Sequence, residues 1–238
     1  MKGVIAGRAP GVQVVDVSHG IPAQDVMAGA LVLRAAAPYF PAPTVHVAVV
    51  DPGVGSARRP ICIETHDACF VGPDNGLLSL AAPRDRAVRI VEIADERFML
   101  SPGSRTFHGR DVFAPAAAAV ASGTPVAELG PERDDMIVLS LPLPVRDGDV
   151  IRGEIVYVDR FGNLTTNVDA TMLPAEVDHV EIGGRRAIPF APTYAAVERQ
   201  ALVALVNSWG LVEIAVRDGD ARTTLAAGVG TPIVVALR

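Results

Sequence analysis

The stretch VHVAVVDPGVGSARRPI, Val45 to Ile61, governs how this chain is read. Val45 to Val50 is a nearly continuous apolar run, the pattern of a strand buried on both faces. It stops at Asp51, where Pro-Gly-Val-Gly breaks the chain. In open α/β sheets, ligands bind beyond the carboxyl ends of strands, so Asp51 stands at a favoured position. Gly53 and Gly55 let a backbone approach a ligand closely, and Arg58 and Arg59 follow within one loop's reach. A plain Asp-Pro-Gly turn with a solvated arginine pair would have the same appearance.

Strand and helix signals alternate on both sides of this stretch. VQVVDVS (Val12 to Ser18) is a β-branched run, and AQDVMAGALVLRAAA is a helical segment stopped by Pro38. ICIETHDACFV reads as a hairpin, NGLLSLAA (Asn75 to Ala82) as a helix and AVRIVEI (Ala87 to Ile93) as a strand. GRDVFAPAAAAVASG (Gly109 to Gly123) reads as a helix closed by its glycine. The alternation predicts an α/β N-terminal domain over 1–147, with a mostly parallel sheet flanked by helices. Pro142, Pro144 and an Asp-Gly turn punctuate the chain before residue 149. Short strands separated by turns follow, and they predict a smaller antiparallel β-barrel-like domain over 148–238.

Composition narrows the function. The 238 residues are 50% hydrophobic but only 5% aromatic, so the core must rest on Ala, Val, Leu and Ile. The net charge of −6 and the absence of basic runs beyond arginine pairs argue against a nucleic-acid surface. No stretch approaches the ~18 apolar residues of a membrane span, and the start lacks a signal-peptide core, so a cytoplasmic protein is expected. Two cysteines make neither a disulfide framework nor a four-ligand zinc site. The five histidines are scattered without metal-ligand spacing, so no metal is expected. No GxGxxG follows a strand, and no Walker or GxSxG motif is present.

Three further constellations carry polar chemistry. In SRTFHGRDVFAP, His108 precedes a helix start, where the dipole favours a neutral imidazole able to take a proton. In VDRFGNLTTN, Asp159 and Asn163 offer an acceptor and an amide, and Phe161 a stacking face; an Asx-rich turn would look alike. VNSWGLVEIAV holds Asn207, Ser208 and the lone Trp209, which could equally be a core tryptophan at a strand bend.

Taken together, DPGVG with Arg58-Arg59, PDNGLL, TFHGRDVFAP, DRFGNLTTN and NSWG stand in the order of a known family. The chain resembles the S-adenosyl-L-methionine (SAM) hydrolases, or SAM hydroxide adenosyltransferases, relatives of the fluorinases and chlorinases. MKGVI and VVDVSHGIPAQDV match the same pattern, so the likeness runs nearly end to end. It implies attack of hydroxide on the 5′ carbon of SAM, releasing adenosine and methionine, with SAM as substrate and no cofactor. Carried over by motif, the water-activating set is Asp51, His108 and an arginine seven residues beyond the aspartate, Arg58; spacing alone separates it from Arg59. Asp159, Phe161 and Asn163 would hold the methionine amine and the base. Ser208 and the backbone at Trp209 would hold the carboxylate, the strand to Val216 the adenine, and Gln24 stands near the adenosine. The resemblance also implies a homotrimer, with sites between the N-terminal domain of one subunit and the C-terminal domain of the next.

Two other readings compete with hydrolysis: a halide-using relative, and an inactive adenosine- or SAM-binding module. The second arises because family members carry a short strand and a TDFG-like motif before the segment matching MKGVI. Its aspartate binds the ribose hydroxyls, and this chain is expected to lack both strand and aspartate, by a late start or a truncation.

Overall fold

A tight hairpin sets the first sheet. The computed structural model describes residues 1–183 and 185–238, and the chain divides into two units, Met1–Leu139 and Ser140–Arg238. The first unit runs α1 (Lys2–Arg8), α2 (Val26–Ala36), β1 (Thr44–Val47), β2 (Pro60–Glu64), β3 (Ala68–Pro73), β4 (Arg89–Glu92) and α3 (Ala114–Ala121). Its four strands lie in the order β1-β3-β2-β4.

The expectation of a mostly parallel sheet flanked by helices is corrected here. Only β1 and β3 pair in parallel; β2 is antiparallel to both β3 and β4. Just Thr65, His66 and Asp67 join β2 to β3, whereas parallel neighbours need a crossover of about a dozen residues. The Thr65 N–H donates to the Ala68 carbonyl at 2.9 Å and closes that turn. Helices are also fewer than the sequence suggests. Asn75 to Ala82 forms successive turns, with Ser79 N–H donating to Gly76 and Ala82 N–H to Leu78. Val12 to Ser18 runs without a ladder partner among the described residues, and Val14, Val15 and Val17 are exposed. A β-branched run becomes a strand only when a neighbour takes its backbone groups.

Apolar residues on β2, β3 and β4 anchor this unit. Cys62, Val71 and Val91 pack with Phe113, Ala116 and Ala117, while Ile61, Ile63, Phe70 and Ile90 pack with Leu77, Leu78 and Leu33. Ahead of α3, Gly109–Phe113 is a π-helical turn. Pro115 has no N–H to give the Asp111 carbonyl, and the Leu100 N–H takes that acceptor at 2.8 Å. The proline thereby ties the loop before His108 to the helix that follows it.

The second unit contains β5 (Val145–Asp147), β6 (Val150–Val158), β7 (Leu164–Asp169), β8 (Val177–Ile182), β9 (Arg185–Pro189), β10 (Leu202–Val206), β11 (Leu211–Val216), α4 (Ala221–Leu225) and β12 (Pro232–Leu237). Seven strands follow the order β10-β11-β7-β6-β12-β8-β9, with β5 beside β6, and every ladder is antiparallel. Just past β9, Phe190 bridges Ala204 of β10, and the Ala191 N–H donates to the Ala204 carbonyl at 2.8 Å. That contact nearly closes the sheet on itself and protects its edges. Ile151, Ile155, Leu164, Val180, Ile214 and Ile233 fill the interior. No helix among the described residues is long and apolar enough to cross a membrane.

Candidate active site

Two groups of polar side chains stand out, one in each unit. In the first unit, the chain leaves β1 toward Asp51 and turns through Pro52 to Gly55. Ser56 closes the turn: its hydroxyl donates to the Gly53 carbonyl at 2.7 Å and accepts from the Arg58 N–H at 3.2 Å. Gly55 has φ +79°, and a Cβ there would meet the Arg105 carbonyl oxygen at 2.8 Å. Only glycine lets this turn lie against the loop that carries His108.

The result is a buried charge cluster. Arg58 grips Asp51 through two of its three guanidinium nitrogens, Nε to Oδ1 at 3.0 Å and Nη2 to Oδ2. The Arg58 and Asp51 side chains are 7% and 6% exposed, so the pair is shielded from water and from salt screening. Nη2 also lies 3.0 Å from Nδ1 of His108, and the guanidinium sits 5.3 Å from the centre of the Phe113 ring. Arginine has donors only, so Nδ1 must accept and the proton of a neutral His108 resides on Nε2. Burial first, and then the charge of Arg58, push the His108 pKa below the ordinary histidine value. The remaining nitrogen, Nη1 of Arg58, is buried with no partner among the described residues.

Arg59 is committed elsewhere. Its Nε and Nη2 donate to Asp74 at 2.9 and 2.6 Å, and its Nη1 donates to Asp135 at 2.8 Å. Asp74 also accepts from the Ile137 N–H at 2.8 Å, and the Asn75 side-chain amide donates to the Val50 carbonyl at 2.9 Å. PDNGLL therefore braces the segment that follows β1, just ahead of Asp51. Asp111 has a comparable part in the other loop. It accepts from the Ser104 N–H at 2.7 Å, and Arg110 holds its pKa down at about 2. Gln24 is exposed at φ 67°, directly before Asp25, which caps α2. Gln24 and Asp51 both border a cleft of about 1220 Å³ in this unit.

In the second unit, Asp159, Ser208 and Trp209 meet at a pocket of about 440 Å³. Phe161, Asn163 and Val216 do not line it. Asp159 closes the turn after β6: Oδ1 accepts from the N–H groups of Phe161 and Asn163 at 2.8 and 2.9 Å, and Oδ2 from the Asn163 amide at 3.2 Å. Phe161 points outward at 65% exposure, with the Arg160 guanidinium 5.4 Å from its ring centre. Val216 is a buried β11 residue paired with Leu202, and its carbonyl accepts from Gly219. The Trp209 N–H is used within its own turn, donating to Asn207 Oδ1 at 2.9 Å.

Sequence reasoning passed over Tyr157, Tyr194 and Glu213, which line the same pocket. Glu213 is 5% exposed in a strand that is buried throughout; it accepts from the Tyr194 hydroxyl at 2.6 Å and the Asn207 amide at 3.1 Å. A lone carboxylate inside LVEIAV was the signal available for it.

A model of the SAM hydroxide adenosyltransferase N-terminal domain matches residues 1–130, and the C-terminal domain model of the same family matches 153–234. The chain belongs to the SAM hydroxide adenosyltransferase family. Within it, an (R)-S-adenosyl-L-methionine hydrolase of Thermus thermophilus is 44% identical over 98% of this chain and 91% of its own. A fluorinase of Actinoplanes is 27% identical over 72% of this chain and 67% of its own. An uncharacterized conserved protein of Thermotoga maritima superposes with a TM-score of 0.91 at 33% identity, covering 99% of this chain and 93% of that one. The two matched ranges contain both polar groups described above, Asp51, Arg58 and His108 in the first and Asp159, Ser208 and Trp209 in the second.

Proposed function

We propose that this protein hydrolyses S-adenosyl-L-methionine to adenosine and L-methionine. The observation that carries the reading is the Asp51–Arg58–His108 cluster, a buried ion pair with a half-buried histidine beside it, in a chain 44% identical to a hydrolase of that name. A sulfonium is a good leaving group that departs as a neutral thioether, so no acid has to assist it. The demand falls on the nucleophile. Water must be made hydroxide-like and held in line with the C–S bond, about 3–3.5 Å from the 5′ carbon.

The cluster suits that demand through its donors. The unpartnered Nη1 of Arg58 and the Nε2–H of His108 are both hydrogen-bond donors, and donors stabilise a hydroxide more than a water. Asp51 holds the guanidinium in place and lessens its net charge. The oxygen forms its bond to C5′, the C–S electron pair goes to sulfur, and one proton is released to solvent per turnover. A halide needs only a dry pocket with a few donors, so a carboxylate–guanidinium–imidazole set favours hydroxide over halide. Asp159 and Ser208 are the residues proposed to bind the methionyl end of SAM. Gln24, Phe161, Asn163, Trp209 and Val216 remain proposed adenosine or methionine contacts. The protein is proposed to act in the cytoplasm as a homotrimer, and its mass in solution tests that arrangement.

The direct experiment is chromatography of SAM incubated with the protein. Equal release of adenosine and methionine is expected, together with loss of turnover in Asp51→Ala. Formation of a 5′-halo-adenosine in chloride or fluoride, without adenosine, would overturn the reading.

A further inference from the structure

The second unit's pocket concentrates aromatic rings that the chain otherwise spares. Aromatics are 5% of the sequence, with three tyrosines and one tryptophan, yet Tyr157, Tyr194 and Trp209 all line this one pocket. Tyr157 and Trp209 form a tilted pair with ring centres 5.1 Å apart. Two carboxylates, Asp159 and Glu213, share the lining, and no lysine, arginine or histidine joins them. Glu213 is buried, and its hydrogen bonds from the Tyr194 hydroxyl and the Asn207 amide join the wall of the pocket to the turn that carries Ser208 and Trp209.

Aromatic faces attract cations through the ring quadrupole, and cages of such rings hold quaternary ammonium groups. A phenol that donates to a carboxylate has a more electron-rich ring, which strengthens that attraction. We propose that this pocket is an onium site: it holds the positively charged sulfonium of the substrate, and Glu213 is the positioning residue that fixes the Tyr194 wall. The inference rests on the hydrolase reading and deepens it, since SAM carries a sulfonium and the product methionine a neutral thioether. Breaking the C–S bond removes the charge that the pocket grips, so the same chemistry loosens the methionyl product.

The test compares three small ligands by calorimetry on the full chain: S-methylmethionine, which is a sulfonium; methionine, its thioether; and ethionine, which adds a carbon without the charge. S-methylmethionine should bind about tenfold or more tightly than either neutral ligand, the scale of a desolvated cation–π contact. Glu213→Gln and Tyr194→Phe should narrow that preference to about threefold and raise KM for SAM more than they lower kcat. Equal affinity of the wild-type protein for all three ligands overturns the proposal, as does a preference unchanged in Tyr194→Phe. If Glu213→Gln fails to fold, Tyr194→Phe and the wild-type comparison decide the matter. Absence of adenosine release from SAM would instead strike the hydrolase reading, whereas adenosine release without the onium preference strikes this inference alone.

Discussion

Nη2 of Arg58 donates to Nδ1 of His108 across 3.0 Å, although fifty positions separate them in the chain. The same nitrogen also holds Asp51, so a single guanidinium sets both the carboxylate and the imidazole. This contact makes His108 a donor through Nε2 rather than a free base, which bears on every prediction for the cluster.

His108→Ala should lower kcat about 10²–10³-fold, the span for losing one donor that stabilises developing negative charge. His108→Gln can still donate from its amide, and should retain more activity than the alanine variant. Rates of adenosine formation at saturating SAM check this. Equal loss in the two variants would mean that donation from this position is not what matters.

The neighbouring arginines should separate by their effects. Arg58→Lys breaks the bidentate grip on Asp51 and should cost about 10²–10³ in kcat, together with some stability because the pair is buried. Arg59→Lys weakens the bonds to Asp74 and Asp135 and should cost about 1–2 kcal/mol of stability while leaving kcat within a few-fold. Thermal melts and initial rates on both proteins decide the assignment; the reverse pattern would transfer the catalytic part to Arg59.

The depressed pKa of His108 makes a pH prediction with a definite sign. Its folded pKa lies below the unfolded value of about 6.5, so the unfolded chain binds more protons in that window. This contribution to stability is fully present above pH ~6.5 and is lost as pH falls through the folded pKa. The acid limb of kcat/KM, which reports groups of the free enzyme, should likewise lie below pH ~6.5. In Arg58→Gln it should move upward, because the repelling charge is gone. A pH–rate profile follows the limb, and a downward move in that variant would contradict the assignment.

Gly55→Ala forces a side chain onto a left-handed backbone and against the Arg105 carbonyl. A loss of about 1–3 kcal/mol is expected, with a fall in kcat as the Asp51 turn moves away from the His108 loop. Denaturant titration measures the first effect and initial rates the second. Wild-type values for both would show that the two loops are not coupled here.

Much of the candidate site was legible in the sequence because its residues sit in short, glycine-marked motifs. DPGVG marks a turn after an apolar run, and TFHGRD stands at a helix start; each pattern alone also fits a plain turn or cap, and it is their order along the chain that singles out Asp51 and His108. The strand directions in the first unit were not legible. Val45 to Val50 and Val12 to Ser18 have the same β-branched character, yet only the former enters a ladder, pairing with β3. Periodicity reports which faces are apolar, whereas direction depends on what lies beside a strand. Glu213 escaped because a single charge in an apolar strand gives no hint of what it will meet.

The sequence by itself determined the family motifs, their order and the residue types available for chemistry, since those are local and survive any arrangement of the chain. Only the tertiary structure decided which arginine faces Asp51, which nitrogen of His108 carries the proton, and that Tyr194 and Glu213 share a pocket with Asp159. Each of these is a contact between residues remote in sequence. Such contacts follow from how strands pair and loops pack, and burial then gives them their electrostatic strength.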